Sequence, residues 1–233
     1  MKLIWFPAIV KIRIKYENQN EDDDRWAMAT GWLVRPDVMV TAGHCAYDWR
    51  DALGRAVHIN AYIGYHGKAS IMTDPNVQTR RAKRIVTTSG WLTSKKNRIN
   101  DVSFILLNKP FTQVQPFTFD STPMQGDEML GVVGYPGDKV DKVGDTEERG
   151  AKMYQQFAKL KYNLETSEQH MLQYRISTYA GKSPQTHGQG APADYSCRTV
   201  WIPSTSSGQG QYLYIHWYPC VWRRHAQLSE RYQ

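Results

Sequence analysis

Eight short runs rich in Val, Ile, Tyr and Trp, each closed by turn-forming residues, leave this chain few folds other than an antiparallel β-barrel or sandwich. The runs are Ile9–Tyr16, Gly31–Val40, Val57–Gly64, Arg84–Thr88, Val102–Leu107, Met129–Gly134, Lys152–Tyr162 and Leu172–Tyr179. Turn formers punctuate them: Arg35-Pro36-Asp37 within the second run, and Gly90, Asn108-Lys109-Pro110 and Tyr135-Pro136-Gly137-Asp138 between later ones. Pro and Gly there supply backbone angles that a strand cannot continue. With 233 residues, the chain has room for one large domain or two small ones. The polar, Pro-containing stretch Phe111–Thr122 predicts the division: residues 1–115 in one barrel and 116–233 in a second.

The first run sets the style of the whole. Residues 8–16 (AIVKIRIKY) alternate apolar and basic positions, the period of a half-buried strand. Upstream, Met1-Lys2 and the apolar Leu3–Val10 imitate a secretory leader. Pro7 interrupts that run and no small-residue cleavage site follows, so the segment reads as mature structure. No stretch approaches the roughly 18–20 apolar residues needed to span a bilayer, so no membrane role is expected. The net charge of +7 permits an acidic partner without identifying one. Gln78–Arg84 (QTRRAKR) is the densest basic cluster and reads as a solvated strand edge rather than a phosphate grip; no nucleic-acid partner is expected. Asp138–Gly150 reads as an exposed loop. Three cysteines, Cys45, Cys197 and Cys220, are too few for a disulfide scaffold, and Cys45 reads as a buried thiol.

Chemistry concentrates in three blocks. Val40-Thr41-Ala42-Gly43-His44-Cys45 places an imidazole after a strand, on a small-residue turn that lets backbone pack beside the ring. A general base needs that rigid mount and a near-neutral pKa. Asn100-Asp101 stands at the mouth of the apolar Val102–Leu107 run, 57 residues beyond His44, a separation that suits one barrel carrying both. A buried carboxylate there would orient the imidazole. Ile176–Ser183 (ISTYAGKS) brings a serine hydroxyl after a glycine.

The string Thr41–Cys45 resembles the histidine motif of trypsin-like serine proteases, and Asp101–Leu107 resembles the same family's aspartate block. Gly31-Trp32-Leu33-Val34 and Gly134–Asp138 look like the glutamyl endopeptidase branch, which cleaves after acidic residues. The likeness runs over roughly residues 5–183. It implies an all-β, chymotrypsin-like fold of two antiparallel six-stranded β-barrels and a His44, Asp101 and Ser183 triad in the cleft between them. It implies backbone amides of Gly181 and Ser183 as the oxyanion hole, and Thr178 in the pocket for an acidic side chain. It implies further a peptide or protein substrate, no cofactor, a monomer and an extracellular location.

One block departs from the pattern. Pro184 follows Ser183 where the family has Gly, and the Gly-Ser-Pro continuation is missing. Beyond it Gln, Ser, Gly and Pro dominate to about Gln211. Back-translated from Trp217 and advanced by one base, the tail permits GIHVYGGDTHNSASVI, a string resembling the end of fungal and bacterial relatives. The expectation is that some or all of the chain after Ser183 is out of frame, leaving the second barrel incomplete at its C-terminus. In the printed frame, His216 is the candidate pocket histidine. A catalytically inactive homologue, acting as a binding protein or a non-functional product, is therefore the alternative to an active enzyme, with a basic nucleic-acid-binding protein as a third reading.

Overall fold

The computed structural model describes residues 8–20, 25–120, 124–137, 139–166, 199–201 and 212–214. Strands dominate: β1 Ile9–Tyr16, β2 Ala27–Arg35, β3 Val38–Thr41, β4 Tyr47–Asp48, β5 Gly54–Ile63, β6 Gln78–Thr87 and β7 Ser103–Leu107. They are followed by β8 Thr118–Asp120, β9 Gln125–Gly134, β10 Val140–Val143, β11 Thr146–Arg149, β12 Tyr154–Asn163, β13 Thr199–Trp201 and β14 Tyr212–Tyr214. Helical structure among the described residues is confined to the short α1 (Ser70–Thr73) and α2 (Ser89–Thr93) and to 3-10 turns at Gly43–Cys45 and Arg98–Asn100. No helix among the described residues is long and apolar enough to cross a membrane.

The first half closes on itself. The order β1-β2-β3-β7-β6-β5 returns to β1 through a direct β1–β5 pairing, giving a six-stranded barrel with β4 as an appendage of β5. Closure leaves no unpaired edge among the six strands. Alternation in β1 decides which side faces in. Val10, Ile12 and Ile14 are wholly buried, together with Leu33, Met39, Ile63 and Ile105 from the other strands. Each such side chain contributes about 1.5–3 kcal/mol of burial, so the barrel core is the main stabilising element of this half.

The second half begins with the long antiparallel pair β9–β12, extended by β13 on the other side of β9. A β10–β11 hairpin and a parallel β8–β14 pair complete the described strands. The fold is thus all-β, with one closed six-stranded barrel and a second strand assembly among the described residues.

The two halves meet at a polar junction. Lys11 points outward from β1 yet is fully buried. Its Nζ donates to the Gly150 carbonyl at 2.9 Å and lies 5.3 and 5.8 Å from the ring centroids of Tyr135 and Tyr65. A buried ammonium is costly without such partners, and aromatic faces supply negative quadrupole where water is excluded. The Tyr135 amide donates to Thr30 Oγ1 (2.9 Å) and its hydroxyl to the Tyr65 carbonyl (3.2 Å). The Tyr65 hydroxyl donates to Glu148 on β11, whose other carboxylate oxygen accepts from the Lys68 amide at 2.6 Å. Burial raises the pKa of Tyr135, and burial followed by the Glu148 contact raises that of Tyr65.

Two sequence expectations change. The basic cluster Gln78–Arg84 is not an edge: it forms most of β6, paired to β5 on one side and β7 on the other. Its charges crowd outward because Arg80 and Ala82 turn inward, which masked the strand's alternation. Asp138–Gly150 holds the β10–β11 hairpin rather than an unstructured loop, because Asp141 anchors it by accepting from the Tyr154 hydroxyl and the Lys152 amide.

Candidate active site

Strand register brings the first two chemical blocks together. Thr41, the last residue of β3, pairs with Ser103, the first of β7. His44 lies three residues beyond that pair on one chain segment and Asp101 two before it on the other, so both emerge at the same rim of the barrel. Ser103 Oγ donates to the Ala42 carbonyl at 2.9 Å, pinning the turn that follows β3. That turn is a 3-10 turn over Gly43–Cys45, with the Ala46 amide returning to the Gly43 carbonyl at 2.8 Å. Asp101 closes its own 3-10 turn, its amide donating to the Arg98 carbonyl at 3.0 Å.

The Asp101 carboxylate grips His44 at two points. Oδ1 accepts from the His44 backbone amide at 2.7 Å, and Oδ2 lies 3.0 Å from His44 Nδ1. The Asp101 side chain is wholly buried, whereas that of His44 keeps 12% exposure. A carboxylate oxygen accepts, so this bond puts the ring proton on Nδ1 and leaves Nε2 as the acceptor nitrogen of the imidazole. Such a pair can orient a general base and balance the imidazolium it becomes.

Three further groups brace this pair and were not legible in the sequence. The Tyr16 hydroxyl, from the end of β1, donates to the His44 carbonyl at 2.9 Å. Trp91 on α2 sets its ring edge-on to the imidazole, with 6.5 Å between centroids and 61° between planes. Its Nε1 donates to the Tyr47 carbonyl at 3.0 Å, and its own carbonyl accepts from Trp49 Nε1 at 2.8 Å. Thr88 caps α2, accepting from the Trp91 amide at 3.1 Å and donating to the Asn100 carbonyl at 2.7 Å. A Trp beside a Thr-Ser-Gly turn was the available signal for Trp91. Gly43 is obligatory by space: a Cβ there would lie 2.8 Å from the Val102 amide nitrogen and 3.0 Å from the Trp91 ring. Cys45 is a buried thiol, with Thr41 Oγ1 3.5 Å from its Sγ.

The structure therefore brings His44 and Asp101 together. Thr178, Gly181, Ser183 and His216 lie outside the described residues. Among the described residues, no group of three His, Cys, Asp or Glu side chains is gathered as a metal site would require.

Comparison with known proteins places the site in context. The family model described as Trypsin matches residues 6–185. The glutamyl endopeptidase of Bacillus licheniformis is 25% identical over 162 residues, which make up 66% of this chain and 43% of that protein. The chain thus spans less than half the length of this curated relative. Among solved structures, a Glu endopeptidase in complex with MPD aligns at a TM-score of 0.49 and 14% identity, covering 68% of this chain and 64% of that one. HL collagenase aligns at 0.45 and 18%, covering 65% and 57%.

Proposed function

This chain belongs to the trypsin family, and on that premise we propose that it is a serine endopeptidase working through His44, Asp101 and Ser183. The observation that carries the reading is the two-point grip of a wholly buried Asp101 on His44. In the proposed reaction, His44 Nε2 takes the Ser183 proton as Oγ attacks the peptide carbonyl. The Gly181 and Ser183 amides hold the oxyanion, and the imidazolium then protonates the leaving amine. Water, activated by the same His44, releases the acyl group. Residues 1–115 would carry the acid–base pair and residues 116–233 the nucleophile. Thr178 and His216 are proposed to favour Glu or Asp before the scissile bond, a preference supported by the name of the Bacillus relative. An extracellular location, a monomeric state and peptide or protein substrates complete the proposal.

A fluorophosphonate probe and a peptide panel differing only in the residue before the bond test it. Labelling abolished by Ser183→Ala, with faster cleavage after Glu and Asp than after Gln or Lys, is the expected result. Asp101→Asn should lower kcat by about 10⁴-fold, since an amide facing Nδ1 favours the wrong tautomer. Folded protein that takes no label would support the second reading, a non-catalytic homologue. Pro184 favours that reading, because it restricts Ser183 and can shift the hydroxyl by a distance that matters to rate.

A further inference from the structure

The barrel's outer face over β1, β5 and β6 gathers cations that are scattered in the sequence. Ile12 and Ile14 point into the core, so Arg13 and Lys15 point out. Arg13 stands opposite Asn60 on β5, and Asn60 opposite Arg81 on β6. Lys15 stands opposite His58 in the neighbouring outward row. On β6, Lys83 follows Arg81 at the next outward position, and the register shift between Ala82 and Arg84 leaves Arg84 exposed beside it. Neighbouring strands lie about 4.8 Å apart and alternate residues about 6.8 Å apart along a strand. Arg13 and Arg81 therefore flank Asn60 at roughly 10 Å from each other, with Lys83 one outward step further along.

Like charges at adjacent sheet positions are mutually repulsive, and this repulsion is relieved when carboxylates lie between them. Elsewhere two exposed arginines hold such groups: Arg55 grips Glu17 at 2.8 Å and Arg35 grips Asp37 at 3.1 Å. No carboxylate among the described residues pairs with Arg81, Lys83 or Arg84.

We propose that this face is a docking surface for an extended acidic polypeptide segment, whose Asp or Glu carboxylates are received by Arg13, Arg81, Lys83 and Arg84. An extended peptide presents alternate side chains on one side at the same spacing as the cations along β1 and β6. Nucleic acid fits less well. Arg13 and Lys15 lie over the Trp26 ring, 5.3 and 5.6 Å from its centroid, so the indole is not offered for base stacking. Among the described residues the face is a fully paired sheet with no helix to enter a groove.

The test uses the full chain carrying Ser183→Ala, so that probe cleavage and probe binding stay separate and the outcome does not depend on the hydrolase reading. A fluorescein-labelled 12-residue peptide alternating Glu and Ser is titrated by anisotropy, beside its Gln-for-Glu counterpart and an oligothymidylate of equal charge. Saturable binding to the Glu peptide at about 50 mM salt, weakening toward about 200 mM, is expected. The combined variant Arg81→Gln, Lys83→Gln, Arg84→Gln should weaken it at least about tenfold with Tm unchanged; Lys83→Glu alone serves if the combined variant does not fold. Three results would overturn the proposal: no binding of the Glu peptide, equal binding by the variants or by the Gln peptide, and tighter binding of the oligothymidylate.

Discussion

Gly43→Ala separates packing from chemistry at the His44 turn. The added Cβ would sit 2.8 Å from the Val102 amide nitrogen, and ordinary contact begins at 3.4 Å, so the backbones must part by about 0.6 Å. Trp91 can pivot, but Val102 follows Asp101 directly and cannot retreat without it. If the same displacement falls on the neighbouring contacts, the 2.7 Å and 3.0 Å bonds from Asp101 to His44 stretch to roughly 3.3 and 3.6 Å. Overpacking costs about 1–3 kcal/mol, and weakening bonds to a buried charged group adds about 1.5–3. A total of about 2.5–6 kcal/mol corresponds to a Tm loss of roughly 5–24 °C for a chain of this size. Thermal unfolding followed by circular dichroism measures it, with Gly144→Ala as the control. Gly144 has φ +61° and nothing within 4 Å of where a Cβ would stand, so its cost is conformational only, about 1–2 kcal/mol. A Tm loss for Gly43→Ala no larger than for Gly144→Ala would refute the reasoning.

Other predictions address the junction and the tyrosines. Lys11→Met strands the Gly150 carbonyl, which costs about 1–3 kcal/mol. Amide hydrogen exchange should quicken over Val140–Arg149 while β3 and β7 keep their protection, and equal quickening in both would count against a local latch. Burial, followed by the hydrogen bond to Asp141, pushes the Tyr154 hydroxyl up to about 12 from its ordinary 10. The folded state therefore holds this proton where the unfolded chain has lost it. The stability involved is complete below pH 10 and falls as pH rises through 12. Tyrosinate absorbance should show a step near 12 that Tyr154→Phe removes, and the same substitution should flatten the alkaline loss of Tm; an unchanged alkaline profile would contradict this.

The barrel half was the more legible part because its strands state their period plainly. Ile12 and Ile14 against Arg13 and Lys15 announced β1, and the Thr41–Cys45 and Asp101–Leu107 strings announced the pair that the structure joins. Two features were hidden by charge. β6 looked like a solvated edge because the outward residues of its first part are nearly all basic, while the inward positions there carry Arg80 and Ala82; the aliphatic Ile85 packs on the core only after the register shift. The β10–β11 hairpin lacks apolar alternation altogether; its strands are held by Asp141 and Glu148, contacts that no local pattern reveals. Trp91 and Tyr16 were illegible for a related reason. Each acts on His44 across 28 or more residues of sequence, and only closure of the barrel brings them to it.

The pairing of Thr41 with Ser103 has a consequence for how His44 and Asp101 meet during folding. Side chains alternate along a strand, so sliding β7 by one residue would turn Ser103 and its neighbours to the opposite face. The imidazole would then meet solvent or a main-chain carbonyl in place of its acid. Assembly of the His44–Asp101 pair is therefore not a late adjustment laid over a finished scaffold: the hydrophobic choice of alignment between two strands already contains it.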